Sequence, residues 1–528
     1  MSDKKDNQEQ APKAVDPIQA LRERKAKLYM GGGEKRIAKQ HAAGKRTARE
    51  RLAQLFDVDT FHETHPFMKH RCTDFGMADK ELPGEGVVTG YGLVDGRPIY
   101  AASQDFTVAG GAVGEATARK ISDLQDDATK TGDPIIFIND SGGARIQEGV
   151  QSLAGYGDIF YRNIRASGVV PQISIISGPC AGGAAYSPAL TDFIIQVRHE
   201  GQMYITGPSV IKQVTGEEVS AEQLGGVDSH SHYSGVVHFV AESGGEGIEI
   251  AKRLLSFLPS NNTDDPPFIE EFHEDVVGED EAMNHIIPAN PRAAYDMHDI
   301  IHRVVDRADF MEVQEHFAPN LIVGFARIEG SSVGVIANNP RHKAGVLDID
   351  SSTKGARFIR FCNAFNIPLV TFVDVPGFMP GVQQEYGGII RHGAKMLFAY
   401  GAATVPKITV VVRKAYGGAY LAMCGRSMGA DRVAAWPTAE IAVMGAEGAV
   451  NLLYRKEIAA SDDPDATRQE KMDEYKENFS TPYKAAASGM VDDVIEPADT
   501  RAYVALSLEI LKSKREMRPE KKHGLIPL

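Results

Sequence analysis

Two segments of this sequence share one pattern: VPQISIISGPCAGGAAY at residues 170–186 and VPKITVVVRKAYGGAYL at residues 405–421. In each, an apolar β-rich run passes through a turn of small residues into a helical pattern. The first segment lies in a run without a single charged side chain, from Ala166 to Thr191. A membrane-spanning helix needs about 20 apolar residues in a row, and the prolines and glycines of this run interrupt any such helix. We therefore expect the run to be buried in protein.

The chain repeats itself at a nearly constant interval. Glycine, proline and aspartate landmarks keep this interval in register to within one position. The matched pairs are Gly90 and Gly324, Gly96 and Gly330, Pro134 and Pro368, Asp140 and Asp374, Pro171 and Pro406, and Gly182-Gly183 and Gly417-Gly418. Isolated coincidences would not stay in phase, so the pattern predicts two homologous domains.

Each half alternates short β-rich runs with helical patterns. Runs such as PIIFIND (134–140) and KITVVV (407–412) are too short for helices and are typical of buried strands. Helical patterns stand between such runs, at residues 116–130 and 352–365. The sequence therefore predicts an α/β fold with covered sheets.

The domain boundaries follow from composition. Residues 258–297 are rich in Asp, Glu, Asn and Pro, as domain linkers are. We predict a disordered tail at 1–17, a first domain at 18–265, an acidic linker at 266–290 and a second domain at 291–528.

Composition excludes several classes of function. The chain of 528 residues is 43% hydrophobic and 24% charged, as expected of a globular protein, and its net charge of −14 argues against nucleic-acid binding. Its four cysteines form no CxxC pair and no secretory leader opens the sequence, which together predict a cytoplasmic protein. No HExxH motif or His/Cys cluster proposes a metal, so we predict none.

The segment 18–52 is basic, with eleven Lys and Arg residues against three Glu. These charges are either a solvated helical face or an anion site suited to a polyphosphate. Within the segment, Thr47-Ala48-Arg49-Glu50 has the form of a capping box, which predicts the start of a helix.

The paired glycine turns suggest chemistry. Glycines let the backbone approach a ligand closely, and the helix that follows offers unpaired N–H groups to an oxyanion. Helix–sheet packing alone would also explain one such turn, but its recurrence in register favours the functional interpretation. Further glycine loops end the preceding strands, at NDSGGARIQEG (139–149) and VDVPGFMPG (373–381). Strand ends of this kind deliver loops to a ligand crevice.

Other catalytic motifs are missing from the sequence. There is no GxGxxG after a strand, no GxxxxGK[ST] and no GxSxG, so Ser187 is more simply structural than nucleophilic. Oxyanion holes without a protein nucleophile or base suggest a stabilised enolate, with a cofactor as the base.

Six longer motifs carry a resemblance to a known family. They are ASQDFTVAGGAVGE (102–115), NDSGGARIQEG (139–149), GPCAGGAAYSPALTDFI (178–194), VDVPGFMPGVQQEYGGIIRHGAKMLFAY (373–400), RKAYGGAY (413–420) and AWPTAEIAVMGAEGAV (435–450). Together they resemble the carboxyltransferase subunit of biotin-dependent acyl-CoA carboxylases, from about residue 18 to the final KKHGLIPL. The resemblance implies tandem duplicated crotonase-like (ClpP/crotonase) domains and transfer of a carboxyl group between carboxybiotin on a carrier and the α-carbon of a short acyl-CoA.

The same resemblance implies roles for individual residues. The N–H groups of Gly182 and Gly183 would hold the thioester oxygen, and those of Gly418 and Ala419 the biotin ureido oxygen. The acyl-CoA side would be lined by Phe106, Ala109, Gly110, Gly111, Gly142, Gly143 and Ala181. The biotin side would be lined by Pro376, Gly377, Phe378, Tyr416 and Gly417. The basic segment 18–52 is a candidate for the CoA phosphates on charge alone.

The family also implies partners. The chain has no A-M-K-M biotinylation motif and no ATP-binding module, so a biotin carboxylase and a biotin carboxyl carrier protein must be separate chains. A ring-shaped homohexamer is implied, with each site between the first half of one subunit and the second half of another. No direct membrane insertion is expected.

Leu421 is the candidate determinant of substrate. Propionyl-CoA carboxylases usually have Asp there, whereas AYLAMCGRSMGAD (419–431) resembles the methylmalonyl-CoA transcarboxylase and decarboxylases. The charged segment 454–479 favours a carboxylase or transcarboxylase, although a solvated helix also explains it. Propionyl-CoA and methylmalonyl-CoA are the expected pair, with acetyl-CoA possible. The alternatives are the decarboxylase subunit of a sodium pump, and a hydrolase or isomerase of the same fold.

Overall fold

The structure is a computed structural model that describes residues 16–273, 278–290 and 293–528. Its first half contains strands and helices in alternation. The strands are β1 (His62–Thr64), β2 (Val87–Val94), β3 (Arg97–Gln104), β4 (Ile135–Ser141), β5 (Gln172–Ala181), β6 (Phe193–Val197), β7 (Gln202–Tyr204) and β8 (Phe239–Ala241). The helices are α1 (Pro17–Tyr29), α2 (Glu34–Ala42), α3 (Ala48–Leu55), α4 (Glu115–Thr131), α5 (Val150–Ala166), α6 (Gly183–Ala189), α7 (Pro208–Thr215), α8 (Ala221–Gly225) and α9 (Gly244–Leu255).

The second half repeats this alternation. Its strands are β9 (Phe310–Glu312), β10 (Leu321–Ile328), β11 (Ser331–Asn338), β12 (Leu369–Val375), β13 (Lys407–Tyr416), β14 (Arg432–Ala435), β15 (Glu440–Ala442) and β16 (Asp493–Val494). Its helices are α10 (His298–Val304), α11 (Ile349–Ala364), α12 (Val382–Gly387), α13 (Ile389–Ala402), α14 (Gly417–Ala422), α15 (Ala446–Leu453), α16 (Arg455–Ala460), α17 (Pro464–Tyr475), α18 (Pro482–Ala487) and α19 (Thr500–Leu511).

The two halves have one sheet topology. The first sheet runs β1-β2-β3-β4-β5-β6-β8 with β7 beside β5, and the second runs β9-β10-β11-β12-β13-β14-β16 with β15 beside β13. In both, the first three strands are antiparallel and the remaining pairs are parallel. The predicted duplication and the predicted α/β fold are therefore confirmed.

Helices cover both faces of each sheet. In the first half α4 and α5 enclose one apolar cluster, while α3 and α9 pack on the opposite face. In the second half α11 and α13 cover one face, and α10 and α19 cover the other. An aromatic cluster joins the halves: the ring of Phe193 lies edge-on to Phe361 at 4.6 Å and to Phe325 at 5.8 Å. One continuous core therefore fixes the halves against each other.

The structure describes only parts of the predicted tail and of the predicted linker. Residues 1–15 lie outside the described residues, but Asp16 caps α1 and the helix begins at Pro17, inside the predicted tail. Residues 274–277 and 291–292 also lie outside them. Within the described part of the linker, Met283 is buried in the core of the second half, and the N–H of Asp280 donates to the carbonyl of Ala498 at 3.2 Å. This part of the linker packs on the second domain, and the boundary positions stay predictions.

In each half, a buried lysine at a matched position joins a helix to the segment that leads into the second strand. Lys120 of α4 donates to the carbonyls of Gly84 at 2.9 Å and Val87 at 2.6 Å. Lys354 of α11 donates to the carbonyls of Gln314 and Phe317 at 3.0 and 2.9 Å. Burial lowers the pKa of both side chains to about 8.

We predict that these lysines make stability depend on pH. An unfolded lysine has a pKa near 10.4, so between pH 8 and 10 the unfolded state binds more protons and the free energy of unfolding rises with pH. Each lysine contributes a slope of about 1.4 kcal/mol per pH unit. Lys120→Met and Lys354→Met should each flatten the dependence measured by urea denaturation at pH 8, 9 and 10. Lys130→Met, on the exposed face of α4, is the control; Met variants that keep the parent's slope would contradict the assignment.

Candidate active site

The first glycine turn joins β5 to α6. Gly182 has φ 58° and ψ −120°, a left-handed conformation that strains any residue with a Cβ. Its N–H donates to the carbonyl of Tyr204 at 3.1 Å, which extends the ladder between β5 and β7. Gly183 and Ala184 are the next two residues and begin α6. N–H groups at this position find no acceptor within a helix, so the turn presents two donors side by side.

The second glycine turn joins β13 to α14 in the same way. Gly417 has φ 58°, equal to that of Gly182. Gly418 and Ala419 follow in the first turn of α14. A Cβ built on Gly418 would meet no atom within 4 Å. This turn therefore borders open space, as a turn that receives a ligand must.

The repeat and the sheet hydrogen bonds bear on which residues donate in the first half. The register that matches Gly182 with Gly417 also pairs Gly183 with Gly418 and Ala184 with Ala419. Gly182, expected to donate its N–H to an acyl oxygen, is therefore one residue out of step with the donors of the second half. Its N–H is already bonded within the sheet. Gly182 thus supplies the backbone bend, and Gly183 and Ala184 occupy the positions equivalent to Gly418 and Ala419. Which N–H groups bind the acyl oxygen stays a prediction.

Three loops expected on the acyl-CoA side lie together at the carboxyl ends of β3, β4 and β5. The N–H of Gly142 donates to the carbonyl of Gly110 at 2.9 Å. A Cβ on Gly143 would lie 3.1 Å from the carbonyl oxygen of Ala181. The fold therefore brings the ends of these neighbouring strands into one crevice.

The loop after β3 is held in an unusual conformation. Ala109, Gly110 and Gly111 have φ values of 50°, 65° and 62°. Phe106, at the start of this loop, is 36% exposed, and the ammonium of Lys45 lies 4.9 Å from the centre of its ring. Three successive left-handed residues turn the chain sharply and leave Phe106 at the surface of the crevice.

The loop after β12 in the second half matches the loop after β4, which contains Gly142 and Gly143. The carbonyl of Gly377 accepts from the N–H of Leu347 at 3.1 Å. The ring of Phe378 packs against α13, where a Cβ on Gly393 would lie 2.8 Å from it. A Cβ on Gly377 itself would meet no atom within 4 Å. Pro376, Gly377 and Phe378 thus form a fixed edge beside open space.

Tyr416 precedes the second glycine turn and is held by a carboxylate. Its hydroxyl donates to the carboxylate of Glu440. Burial, and then Glu440, raise the pKa of Tyr416 far above its usual value, so the phenol stays neutral. Leu421 lies in α14, one turn beyond Gly417, and is half-buried.

A buried carboxylate lies beneath the first crevice. Asp140, near the end of β4, accepts from Lys45 at 2.8 Å, Arg51 at 3.0 Å and Gln40 at 3.1 Å. A Cβ on Gly178 would lie 1.8 Å from its Oδ1, so only glycine fits there. The sequence marks Asp140 only as a landmark of the repeat and does not indicate this role.

Asp374 occupies the same place in the second half. Its carboxylate accepts from the Nε of Arg413 at 2.9 Å, from the hydroxyl of Tyr295 at 2.9 Å and from the N–H of Lys414 at 3.1 Å. In the sequence, only the matched positions of the two aspartates in the repeat could have indicated this shared role. Their different partners gave no signal in the sequence.

Several cations of the basic segment 18–52 form ion pairs within the protein. Lys45 and Arg51 pair with Asp140, and Arg49 pairs with Glu63 at 2.8 Å. The predicted capping box at Thr47 is present at the start of α3. Binding of CoA phosphates stays a prediction for the remaining cations of the segment.

Ser187 has a structural partner. Its hydroxyl donates to Asn163 at 3.0 Å, a bond that joins α6 to α5. Across residues 16–273, 278–290 and 293–528, no group of three or more His, Cys, Asp and Glu side chains could hold a metal ion. Within the same ranges, no helix is both long and apolar enough to cross a membrane.

Comparison with known proteins identifies the family of this chain. The family model described as the carboxyl transferase domain matches residues 39–526. The chain belongs to the carboxyl transferase family. The predicted family and the enzyme class are thereby confirmed.

Similar proteins match over almost their whole length. The chain is 59% identical to the methylmalonyl-CoA decarboxylase subunit alpha of Propionigenium modestum, over 98% of this chain and 99% of that protein. It is 57% identical to the methylmalonyl-CoA carboxyltransferase 12S subunit of Propionibacterium freudenreichii subsp. shermanii, over 97% of each. A crystal structure of transcarboxylase 12S superposes with a TM-score of 0.95 at 56% identity, covering 99% of this chain and all of that one. The crotonase-like fold, duplicated in tandem, is confirmed.

The two glycine turns should respond differently to valine. Gly182→Val forces a β-branched side chain into φ 58°, which costs about 1–3 kcal/mol, so it should lower both stability and carboxyl transfer. Gly418→Val has no left-handed φ and meets no neighbouring atom, so it should fold normally. Its side chain should nevertheless fill the open space and lower transfer by about 100-fold or more. Urea denaturation and a transfer assay on each variant test this; an active Gly418→Val enzyme would contradict the site.

Proposed function

We propose that this chain exchanges a carboxyl group between biotin on a carrier protein and the α-carbon of a short acyl-CoA, with propionyl-CoA and methylmalonyl-CoA as the pair. The observation that carries the proposal is the repeated strand–turn–helix unit, β5 to α6 and β13 to α14, with two N–H donors in each. Two matched donor pairs suit two oxygen atoms, one on each reactant.

In the first crevice, Gly183 and Ala184 hold the thioester oxygen. Negative charge gathers on this oxygen when the α-proton leaves. Backbone donors fixed in advance stabilise such charge without reorganisation, and one donor contributes about 3–4 kcal/mol to lowering a barrier. The loops of Gly110, Gly142 and Gly143 then keep the acyl group beside the turn.

In the second crevice, Gly418 and Ala419 hold the ureido oxygen of biotin. The residues fit such a group, because both Gly377 and Gly418 border space that a Cβ would enter freely. Phe378 and Tyr416 flank it. Biotin supplies the carboxyl group and a base when its carrier binds, which explains why the crevices need no base of their own.

The substrate pair is supported by the relatives and by Leu421. Both a methylmalonyl-CoA decarboxylase subunit and a methylmalonyl-CoA carboxyltransferase subunit are more than 55% identical to this chain, at 59% and 57%. Leu421 extends from α14 with an apolar side chain, which suits the methyl branch of methylmalonyl-CoA. Acetyl-CoA and malonyl-CoA lack this branch and should react more slowly.

A second candidate function is the decarboxylase subunit of a membrane sodium pump. The relative at 59% identity is a methylmalonyl-CoA decarboxylase subunit alpha. The two functions share their half-reaction and differ in partners. Co-purification of the native chain with an integral membrane protein would favour the decarboxylase, whereas co-purification with a biotin carboxylase would favour the carboxylase.

The reverse half-reaction tests the proposed function. The purified chain is incubated with methylmalonyl-CoA or malonyl-CoA, with and without free biotin, and the products are followed by mass. We expect biotin-dependent loss of carboxylate, faster with methylmalonyl-CoA. Turnover without biotin would contradict the proposal and indicate a hydrolase or isomerase of the same fold. In that case Ser187→Ala should abolish turnover, whereas under our proposal it should not.

We also propose that the chain forms a homohexamer. The crystal structure of transcarboxylase 12S is that of a hexamer assembly. In this chain, an apolar face lies at and just before the start of α5. It consists of Ile146, Val150 and Leu153, whose exposed fractions are 86%, 74% and 71%. Val382, Tyr386 and Ile390 of α12 and α13, the matching place in the second half, are 62%, 87% and 77% exposed. We propose that these two apolar faces meet between subunits of a homohexamer, so that each site joins a first half to a second half.

We also propose a cytoplasmic location and two protein partners. The four cysteines are free, which suits a reducing cytoplasm. A biotin carboxylase and a biotin carboxyl carrier protein are the proposed partners.

Charges on the apolar faces should split the assembly. Leu153→Glu and Ile390→Glu each place a charge where apolar surface would be buried, so we expect a smaller particle by light scattering and a loss of transfer. Val58→Glu, at a residue 88% exposed elsewhere, is the matched control and should keep the parent's mass. A hexamer that persists in both face variants would contradict this interface.

A further inference from the structure

A cavity of about 440 Å³ lies between the two halves, apart from the glycine turns. Strand β6, the segment before β8, α11 and residues 526–528 line it. Its apolar wall consists of Phe193, Val313, Phe358, Phe361, Ala364 and Phe365. This volume lies within the range of small-molecule sites, about 300–1,000 Å³.

His238 supplies a hydrogen-bond donor to this cavity. It is 8% exposed, and its Nδ1 accepts from the N–H of Ile194 at 3.1 Å. The proton of the neutral ring therefore lies on Nε2. Among the residues that the structure describes, none accepts from Nε2, although the ring lines the cavity. This N–H group faces the cavity and is free to donate to an acceptor that enters it.

Arg357 provides a second donor beside the first. One guanidinium nitrogen donates to the carbonyls of Thr191 and Asp192 at 2.9 and 3.0 Å. These bonds fix the guanidinium plane across the junction of the halves. The carboxylate of Asp192 accepts from the N–H of Gln172 at 2.8 Å, and burial raises its pKa to about 6.

Basic side chains outnumber acidic ones among the residues that line the cavity. Arg357, Arg360 and Lys395 line it, and Asp192 is the one carboxylate side chain among its described lining residues. Burial and then the nearby Arg391 lower the pKa of Lys395. Lys354 also lines the cavity, but its ammonium is bonded to two carbonyls.

We propose that this cavity binds a small monocarboxylate with a compact apolar body, such as an aryl or branched-chain acid. The carboxylate accepts from His238 and Arg357, and the apolar body lies against the phenylalanines. No residue of the glycine turns takes part, so the site is separate from carboxyl transfer.

Calorimetric titration of the assembled protein with three probes tests the site. Phenylacetate should bind once per chain, including when propionyl-CoA is present in saturating amount. Phenylacetamide keeps the ring but loses the charge, and should bind at least about tenfold more weakly. Acetate has the charge without the ring and should bind at least as weakly as the amide. Absence of phenylacetate binding, its displacement by propionyl-CoA, or equal affinity for the amide would overturn the proposal.

Two variants separate this site from simple misfolding. His238→Asn keeps an acceptor near the N–H of Ile194 but removes the Nε2 donor, and Ala364→Leu fills the cavity without removing any polar group. Each should weaken phenylacetate binding at least about tenfold while biotin-dependent decarboxylation of methylmalonyl-CoA stays unchanged. His316→Asn, at an exposed histidine outside the cavity, is the control. Unchanged affinity in both cavity variants would refute the assignment.

Discussion

A buried carboxylate at the end of the fourth strand of each half organises the rest of the molecule. Asp140 and Asp374 are both fully buried, and a buried charge persists only where partners compensate it. Removing one partner from such a pair typically costs about 3–5 kcal/mol. Each aspartate therefore fixes the elements that reach it. The glycine loops that follow β4 and β12 begin at these fixed positions. Their backbone N–H groups are therefore held in place.

The duplicated halves satisfy this constraint with different residues. Asp140 draws its cations from Lys45 and Arg51, at the start of the chain, whereas Asp374 draws Arg413 from the neighbouring strand. The first half thus cannot close its core without α3 and the loop before it. The basic segment therefore has a structural role. Its positive charges partly compensate buried carboxylates, although the protein as a whole has a net charge of −14.

The sequence predicted topology better than it predicted hydrogen bonds. A constant interval between landmarks is a global signal, so it indicated both sheets and both glycine turns. The partner of the Gly182 N–H depends on β7, a strand of only three residues that pairs with the end of β5. A strand so short leaves little pattern. The buried lysines were missed for a similar reason, because a lysine in a helical pattern is usually solvated and only the sheet shows which carbonyls it reaches.

The two crevices differ in the loop after their third strand, and under the proposed function this difference separates their ligands. In the first half the loop consists of small and aromatic residues around Phe106 and Gly110. In the second half Arg341 and Lys343 occupy the loop and are tied to Asp296 and Asp348. A loop held by ion pairs is stiff and polar at its rim. Such a rim suits a site that meets a partner protein from solvent, whereas the first loop suits a site that encloses a flexible thioester.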